Sequence, residues 1–285
     1  MTPFLWLFPV AFGCSSGGCP ASGFSPSGFS DLLGGRQVYY VTVASRSHPV
    51  LDVLKKTVVA RGLELIVIGQ DMTHVNYDWM WGDPTNTTII KHGHLGLKLM
   101  ALQKFFNNPN FHPDDVVIYT DAFDVCFVGD VETVIKRYLA LKKPVIFGAE
   151  EVCWPEGAVC QQIPRRNRLY GLNSGVVVGR VGALKSLMQG DDLIEKINDQ
   201  EYWTEKYIKN QDIIGLDHER DLFLNLAPLP GNPDVWDRQM KWSPSGPFMW
   251  KDKTVQFVHG NGAVTEEEKV RRVRMPLKFL QERLP

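Results

Sequence analysis

Asp121 and Asp124, two carboxylates with only Ala122 and Phe123 between them, follow directly on the apolar run Val116-Val117-Ile118-Tyr119. Burial drives such a run into a core, whereas an isolated carboxylate is driven out of one. The acids must therefore stand at the carboxyl end of a strand, the edge at which open α/β sheets place their ligands. Two acids at that spacing on a turn can converge on one hard divalent cation. The plainer alternative is that they cap the turn. The pair lacks the spacing of phosphatases that form an aspartyl phosphate, and no Gly-rich nucleotide fingerprint follows a strand in this chain.

His259 leaves a second apolar stretch in the same way, within Gln256-Phe257-Val258-His259-Gly260-Asn261-Gly262. The glycines on either side of Asn261 let backbone approach a ligand closely. Two carboxylates and one imidazole suit manganese or another borderline cation, whereas zinc would bring more His or Cys. Leu172-Asn173-Ser174-Gly175 opens a Val-rich strand and sets polar groups at the mouth of a core, suited to sugar hydroxyls or simply to a turn. Asn198-Asp199-Gln200 precedes Tyr202-Trp203, and either Asn198 or Asp199 can cap the helix beginning there.

The elements that must hold these residues can be read from periodicity. Gln37–Val43 is a strand, His48–Arg61 carries apolar residues at helical spacing up to Gly62, and Leu63–Ile68 is a second strand. Strand, helix, strand with short connections is a βαβ unit and implies a parallel pair. A loop spans Asp71–His94, and a helix runs over Leu95–Asn107. After the acid-bearing strand come a helix at Val131–Leu141, a strand at Val145–Phe147, a loop from Glu150 to Tyr170 and a strand at Leu172–Val178. Helices at Ala183–Met188 and Gln200–Lys209, a strand at Thr254–Val258 and one helix over Thr265–Glu282 complete the chain. The alternation describes a single α/β, Rossmann-like domain with a mostly parallel central sheet and a more irregular C-terminal half.

Composition places few limits beyond this. With 285 residues, 44% of them hydrophobic, and 31 basic against 32 acidic side chains, the chain has no global attraction to nucleic acid or to an anionic membrane. The basic clusters at Arg165, Arg166 and Arg168 and at Lys269–Arg274 read as solvated faces. Residues 1–35 read as an N-terminal leader or a flexible extension, with the structured domain over 36–285. The apolar run Phe4–Phe12 is too short for a stable membrane span, and it lacks the basic flank of a secretory signal. As a signal it would direct the chain to the endoplasmic reticulum lumen or outside the cell; otherwise the chain is cytoplasmic. Cys153 and Cys160 can bridge in an oxidising lumen, Cys126 reads as a small buried hydrophobe, and Cys14 and Cys19 would leave with a cleaved leader. Asn86-Thr87-Thr88 is a glycosylation sequon, compatible with that route.

Thr42-Val43-Ala44, Asp121-x-x-Asp124, Trp154-Pro155, Leu172-Asn173-Ser174-Gly175, Asn198-Asp199-Gln200, Leu216-Asp217-His218 and His259-Gly260-Asn261-Gly262 occur in that order over residues 37–263. No one of these motifs is specific, but the ordered set resembles the glycosyltransferase module of the procollagen lysyl hydroxylases and related collagen hydroxylysine glycosyltransferases. The resemblance implies a GT-A fold, a UDP-glucose or UDP-galactose donor, Mn2+, and a hexosyltransferase of the retaining type. The acceptor it implies is hydroxylysine or galactosyl-hydroxylysine of a collagen-like protein. Alternatives are another protein or glycan acceptor, or a non-catalytic module that binds sugar nucleotide. By match, Asp121, Asp124 and His259 would ligate the metal, Thr42, Val43 and Ala44 would line the uridine pocket, and Lys98 would contact the donor. Trp154, Asn173, Asp199 and Gln200 would line the sugar and acceptor side with Ser174 beside them, and Gly260 and Asn261 would approach the phosphates. Asp199, with Asp217 second, is the candidate nucleophile. Two departures from the family pattern stand out: the acidic run shrinks to Asn198-Asp199, and His92-Gly93-His94-Leu95-Gly96 replaces a Gly-rich stretch. The iron ligands of the hydroxylase are absent, so lysyl hydroxylation is not expected of this polypeptide.

Overall fold

The computed structural model describes residues 31–70, 95–155, 157–165, 168–191, 193, 198–227, 236–243, 245–262 and 265–284. The leader, the loop over 71–94 with its sequon, and His92-Gly93-His94 lie outside these residues. A six-stranded sheet forms the centre, in the order β2 (Leu65–Ile68), β1 (Val38–Val43), β3 (Val116–Thr120), β6 (Gly171–Arg180), β5 (Val145–Glu150) and β7 (Ile214–Asp217). The expected parallel pair is present, with Thr42 opposite Val67, and β3 and β7 join in parallel to β1 and β5. Within this sheet β6 alone runs against the others. The sheet is thus mostly parallel, as expected of a GT-A-type domain.

Every residue of β1 and β3 is buried, because helices cover both faces. Strand alternation divides the core. Tyr39, Val41, Val43, Val117, Tyr119 and Phe147 face one layer, with Leu99 and Leu102 of α2 (Leu95–Phe106) and Tyr202 and Trp203 of α6 (Asp199–Lys209). Val38, Tyr40, Val116 and Ile118 face the other, with Leu54 and Val58 of α1 (Pro49–Ala60) and Val134 and Ile135 of α3 (Val131–Ala140). Helix α1 starts where expected, because Pro49 occupies its first turn and His48 accepts from the Val50 N–H. The strand running into Asp121 ends at the same edge as β1 and β5, so the carboxyl ends of all three converge there.

The C-terminal half departs from expectation in its details. The loop after Glu150 contains a short helix, α4 (Ala158–Gln161), and α5 (Val181–Met188) follows β6 without a break. The single helix expected over Thr265–Glu282 is two, α7 (Glu266–Arg272) and α8 (Arg274–Gln281). Pro276 explains the break, since its ring would clash with the carbonyl of Arg272 in a continuous helix. Short strands β9 (Met240–Lys241), β10 (Met249–Trp250) and β11 (Lys253–Thr254) form an antiparallel sheet. The strand expected over Thr254–Val258 is instead β11 followed by β12 (Phe257–His259), which pairs antiparallel with β4 (Val125–Phe127) and parallel with β8 (Phe223–Asn225).

That last sheet is held by aromatic rings. Phe257 is fully buried, stacks on Phe127 with ring centroids 4.7 Å apart, and meets Phe223 at 5.4 Å. Phe257→Ala is expected to lower the free energy of unfolding by about 3–5 kcal/mol, read by chemical denaturation, because the small sheet has little else to close the cavity.

Candidate active site

The register of the small sheet places the residues. His259 lies opposite Val125 on β4 and opposite Asn225 on β8, and the Gly260 N–H donates to the Asp124 carbonyl at 2.7 Å. His259 is thereby carried to the turn that bears Asp121 and Asp124. One ligand atom from each of the three lies within 4.8 Å of the others, with His259 Nε2 3.5 Å from Asp124 Oδ1 and 3.9 Å from Asp121 Oδ2.

Asn225 sets the tautomer of His259. Its amide N–H donates to the Ala149 carbonyl at 3.2 Å, so its Oδ1 faces His259 Nδ1 at 3.1 Å and accepts the ring proton. In the neutral ring Nε2 is then left with the lone pair toward the carboxylates, as in metal-binding histidines. Burial pushes the imidazole pKa down, but Asp124, Asp121 and Glu150 outweigh it and leave it raised. Gly175 supplies the space. A Cβ there would stand 2.4 Å from His259 Cε1 and 2.6 Å from Asp121 Oδ2, so a side chain would occupy the position at which the ligands converge. Two carboxylates, one properly oriented imidazole and a cleared cradle fit a divalent metal ion.

Helices on the Tyr119 face bring in the next residues. Lys98, from α2, lies 2.8 Å from Asp121 Oδ1 and 2.6 Å from Asp199 Oδ2. Asp199 opens α6 and is buried, and its Oδ2 also accepts the Ser174 hydroxyl at 2.9 Å. The cap of that helix is Asn198, whose side chain accepts from the Gln200 and Glu201 N–H groups. Burial lowers the Lys98 pKa, but Asp121 and Asp199 more than reverse this and hold it well above its ordinary value. Burial raises the Asp121 pKa, yet Lys98 and His259 bring it below the usual carboxylate range. The Tyr119 phenol, buried beside Asp121, is held far above its own ordinary pKa.

One group at the centre belongs to none of the sequence motifs. Glu150 ends β5 and is buried. Its Oε1 accepts from Gln200 Nε2 at 2.8 Å, and its Oε2 from Asn261 Nδ2 at 2.8 Å and Asn173 Nδ2 at 3.5 Å. Three expected site residues are therefore fastened to one carboxyl. The far ends of the amides are also engaged: Asn173 Oδ1 by the Gly175 N–H at 3.0 Å and Asn261 Oδ1 by the Ala227 N–H at 2.9 Å. A signal for Glu150 is nonetheless present in the sequence, since Val145-Ile146-Phe147-Gly148-Ala149 runs into it as Val116–Tyr119 runs toward Asp121.

The remaining expected residues fall in different places. Thr42, Val43 and Ala44 are buried where β1 ends, and the Thr42 hydroxyl donates to the Thr120 carbonyl at 2.7 Å. Trp154 is 42% exposed, and its carbonyl accepts from Gln200 Nε2 at 3.1 Å. Gly260 packs under Arg272 and Val273, where a Cβ would stand 3.0 Å from the Arg272 Cβ, and the Arg272 guanidinium donates to the Asn261 carbonyl. Asp217 is apart from the cluster. Its carboxylate is fully buried and accepts from the N–H groups of Asp221, Leu222 and Phe223 at 2.8, 2.7 and 2.8 Å. It closes the turn between β7 and β8. Cys153 and Cys160 form a disulfide, and Cys126 is a buried free thiol.

Burial raises the Glu150 pKa to about 7, although His259 and the three amides work against this. A folded-state pKa above that of the unfolded chain means that the folded protein binds the extra proton. Stability from this group is present below pH ~4.3 and is lost as pH rises through about 7. In chelator-treated protein, Glu150→Gln is expected to flatten the fall of Tm between those limits, measured by calorimetry across pH. Parallel curves for both proteins would remove Glu150 as the source.

Several known proteins are similar to this chain. A family model described as "PLOD GT domain" matches residues 35–268. The "Multifunctional procollagen lysine hydroxylase and glycosyltransferase" of Caenorhabditis elegans is 25% identical over 240 residues, which are 79% of this chain and 30% of that protein. "Procollagen-lysine,2-oxoglutarate 5-dioxygenase 2" of Homo sapiens is 29% identical over 155 residues, 52% of this chain and 20% of that one. The chain thus spans less than a third of the length of these relatives. Among solved structures, galactosyltransferase LgtC in complex with donor and acceptor sugar analogs aligns at a TM-score of 0.44 and 15% identity, over 85% of this chain and 95% of that one. With most of its length matched by the family model, the chain belongs to the PLOD glycosyltransferase-domain family and is a glycosyltransferase.

Proposed function

We propose that the chain transfers glucose or galactose from its UDP-sugar to hydroxylysine or galactosyl-hydroxylysine of a collagen-like protein, retaining anomeric configuration, with Mn2+ held by Asp121, Asp124 and His259. The observation that carries this is the convergence of those three side chains around the space left by Gly175. A divalent ion there would offset the negative charge that grows on the UDP leaving group. Lys98 supplies a fixed, mostly buried positive charge beside the same ligands, which acts in the same direction.

We assign Asp199 as the carboxylate that would face the anomeric carbon. Lys98 and Ser174 hold its Oδ2, so its orientation is set before substrate arrives. Asp217 is assigned to the turn instead, because the backbone of the 217–223 segment engages both its oxygens. Asn173 and Gln200, anchored on Glu150, and the half-exposed Trp154 form the sugar and acceptor side. Thr42–Ala44 lie toward the nucleoside, and Gly260 and Asn261 toward the phosphates. The Cys153–Cys160 disulfide supports folding in the secretory pathway, where such bonds persist. Among the described residues, no helix is long and apolar enough to cross a membrane.

Release of UDP from UDP-glucose and UDP-galactose, with and without Mn2+, tests the class, and peptides bearing hydroxylysine or galactosyl-hydroxylysine test the acceptor. UDP formation that requires Mn2+ and rises with such a peptide is expected. No release from either donor, together with no Mn2+-dependent binding of UDP, would sink the proposal. Asp124→Asn is expected to reduce UDP release by roughly 100-fold or more while moving Tm by only a few degrees. Gly175→Ala is expected to abolish Mn2+-dependent release as well, because its methyl would displace His259 and Asp121. Retained release in that variant would show that the ion sits elsewhere.

A further inference from the structure

Asp121 divides its two oxygens between different tasks. Oδ2 faces His259 and the space left by Gly175. Oδ1 accepts the Tyr119 hydroxyl at 2.9 Å and the Lys98 ammonium at 2.8 Å. The last torsion of an aspartate is soft, so its partners decide which way the carboxylate faces. Strand alternation brings one of these partners into place, since residues two apart in sequence share a face. The Tyr119 ring is 1% exposed and packs in the same core layer as Val41, Val43, Leu99 and Leu102. The Lys98 ammonium lies over that ring, 6.0 Å from its centroid, and reaches on to Asp199.

We infer that Tyr119 is a positioning residue of the metal centre: its hydroxyl fixes Oδ1 of Asp121 so that Oδ2 faces the ion, and its ring seats the Lys98 ammonium between Asp121 and Asp199. The inference rests on the metal site proposed above. It goes beyond that proposal in assigning a function to a strand residue that touches neither donor nor ion. Phenylalanine keeps the ring and its packing and removes only the hydroxyl. The loss should therefore appear in metal affinity and not in the fold.

The test is a titration of the full chain with Mn2+ in the presence of UDP. Free Mn2+ is read by electron paramagnetic resonance for wild type, Tyr119→Phe and Asp124→Asn, with a melting curve for each. Wild type is expected to bind. Asp124→Asn should lose binding, and Tyr119→Phe should bind about 10–100-fold more weakly with an almost unchanged Tm. In turnover, Tyr119→Phe should raise the Mn2+ concentration for half-maximal rate, and saturating Mn2+ should restore kcat, which a defect of packing would not allow. If Tyr119→Phe binds Mn2+ as tightly as wild type, the inference fails while the metal site stands. If wild type itself binds no Mn2+, both fail together.

Discussion

The pairing of β12 with β4 is the contact on which the rest of this site depends. Three residue pairs, Phe257 with Phe127, Val258 with Cys126 and His259 with Val125, bring a histidine near the C-terminus beside two aspartates that precede it by well over a hundred positions. A slip of one residue would turn His259 to the opposite face, into the apolar layer of Val258, Cys126 and Leu224. The packing of Phe257 on Phe127 and Phe223 prevents the slip, together with the Gly260 N–H on the Asp124 carbonyl. The apolar side of a strand only three residues long thus fixes the polar chemistry at its end.

Around that contact the protein accumulates carboxyl groups that it must keep apart. Asp121, Asp124, Asp199 and Glu150 face one ammonium, Lys98, and one imidazole, His259. In a water-poor environment such an imbalance is tolerated only where every oxygen has a donor or a cation. Asp124 lies beside His259 Nε2 at 3.5 Å, and the other three each have a different set of donors. Asp121 takes Lys98 and Tyr119, Asp199 takes Lys98 and Ser174, and Glu150 takes three side-chain amides. Amides carry no charge with which to hold an anion, and Glu150 is the group whose pKa rises toward neutrality. Asp121, which has the cation, shifts the other way. The direction of each shift follows from the kind of donor supplied, not from depth alone.

Much of this is legible from the amino acids, and the boundary has physical causes. Apolar runs ending in acids locate the sheet edge, and β-branched residues with helical spacing locate the parallel βαβ unit. The proposed ligand triad can be read because all three residues leave apolar strands. Glu150 carries the same signal but has no nearby second acid to draw attention. Asn225 has almost none, being the last residue of a three-residue strand whose pairing is set by contacts distant in sequence. Gly175 looks like turn chemistry. Its actual constraint, the 2.4 Å approach a Cβ would make to His259, exists only once the small sheet carries His259 against β6. The helix break at Val273 has a visible cause in Pro276, which an otherwise continuous pattern of charge and apolar residues obscures.

Asp217 shows why an acid at a strand end is a necessary sign of chemistry and not a sufficient one. It ends β7 as Glu150 ends β5, and the register sets it beside Gly148 at the same edge of the sheet. The difference lies in the path of the chain beyond each acid. After Asp217 the backbone turns at once, with Arg220 at φ 54°, and directs three consecutive N–H groups back at the carboxylate. After Glu150 it leads away through the Cys153–Cys160 loop and, among the described residues, directs no such group at the acid. Side chains from β6, α6 and the 259–262 segment fill the place instead, and those are the elements that border the proposed metal. Backbone donors consume an acid locally. Side-chain donors tie it to distant parts of the chain, and at this edge it is the latter arrangement that gathers the residues we assign, as a proposal, to the sugar nucleotide.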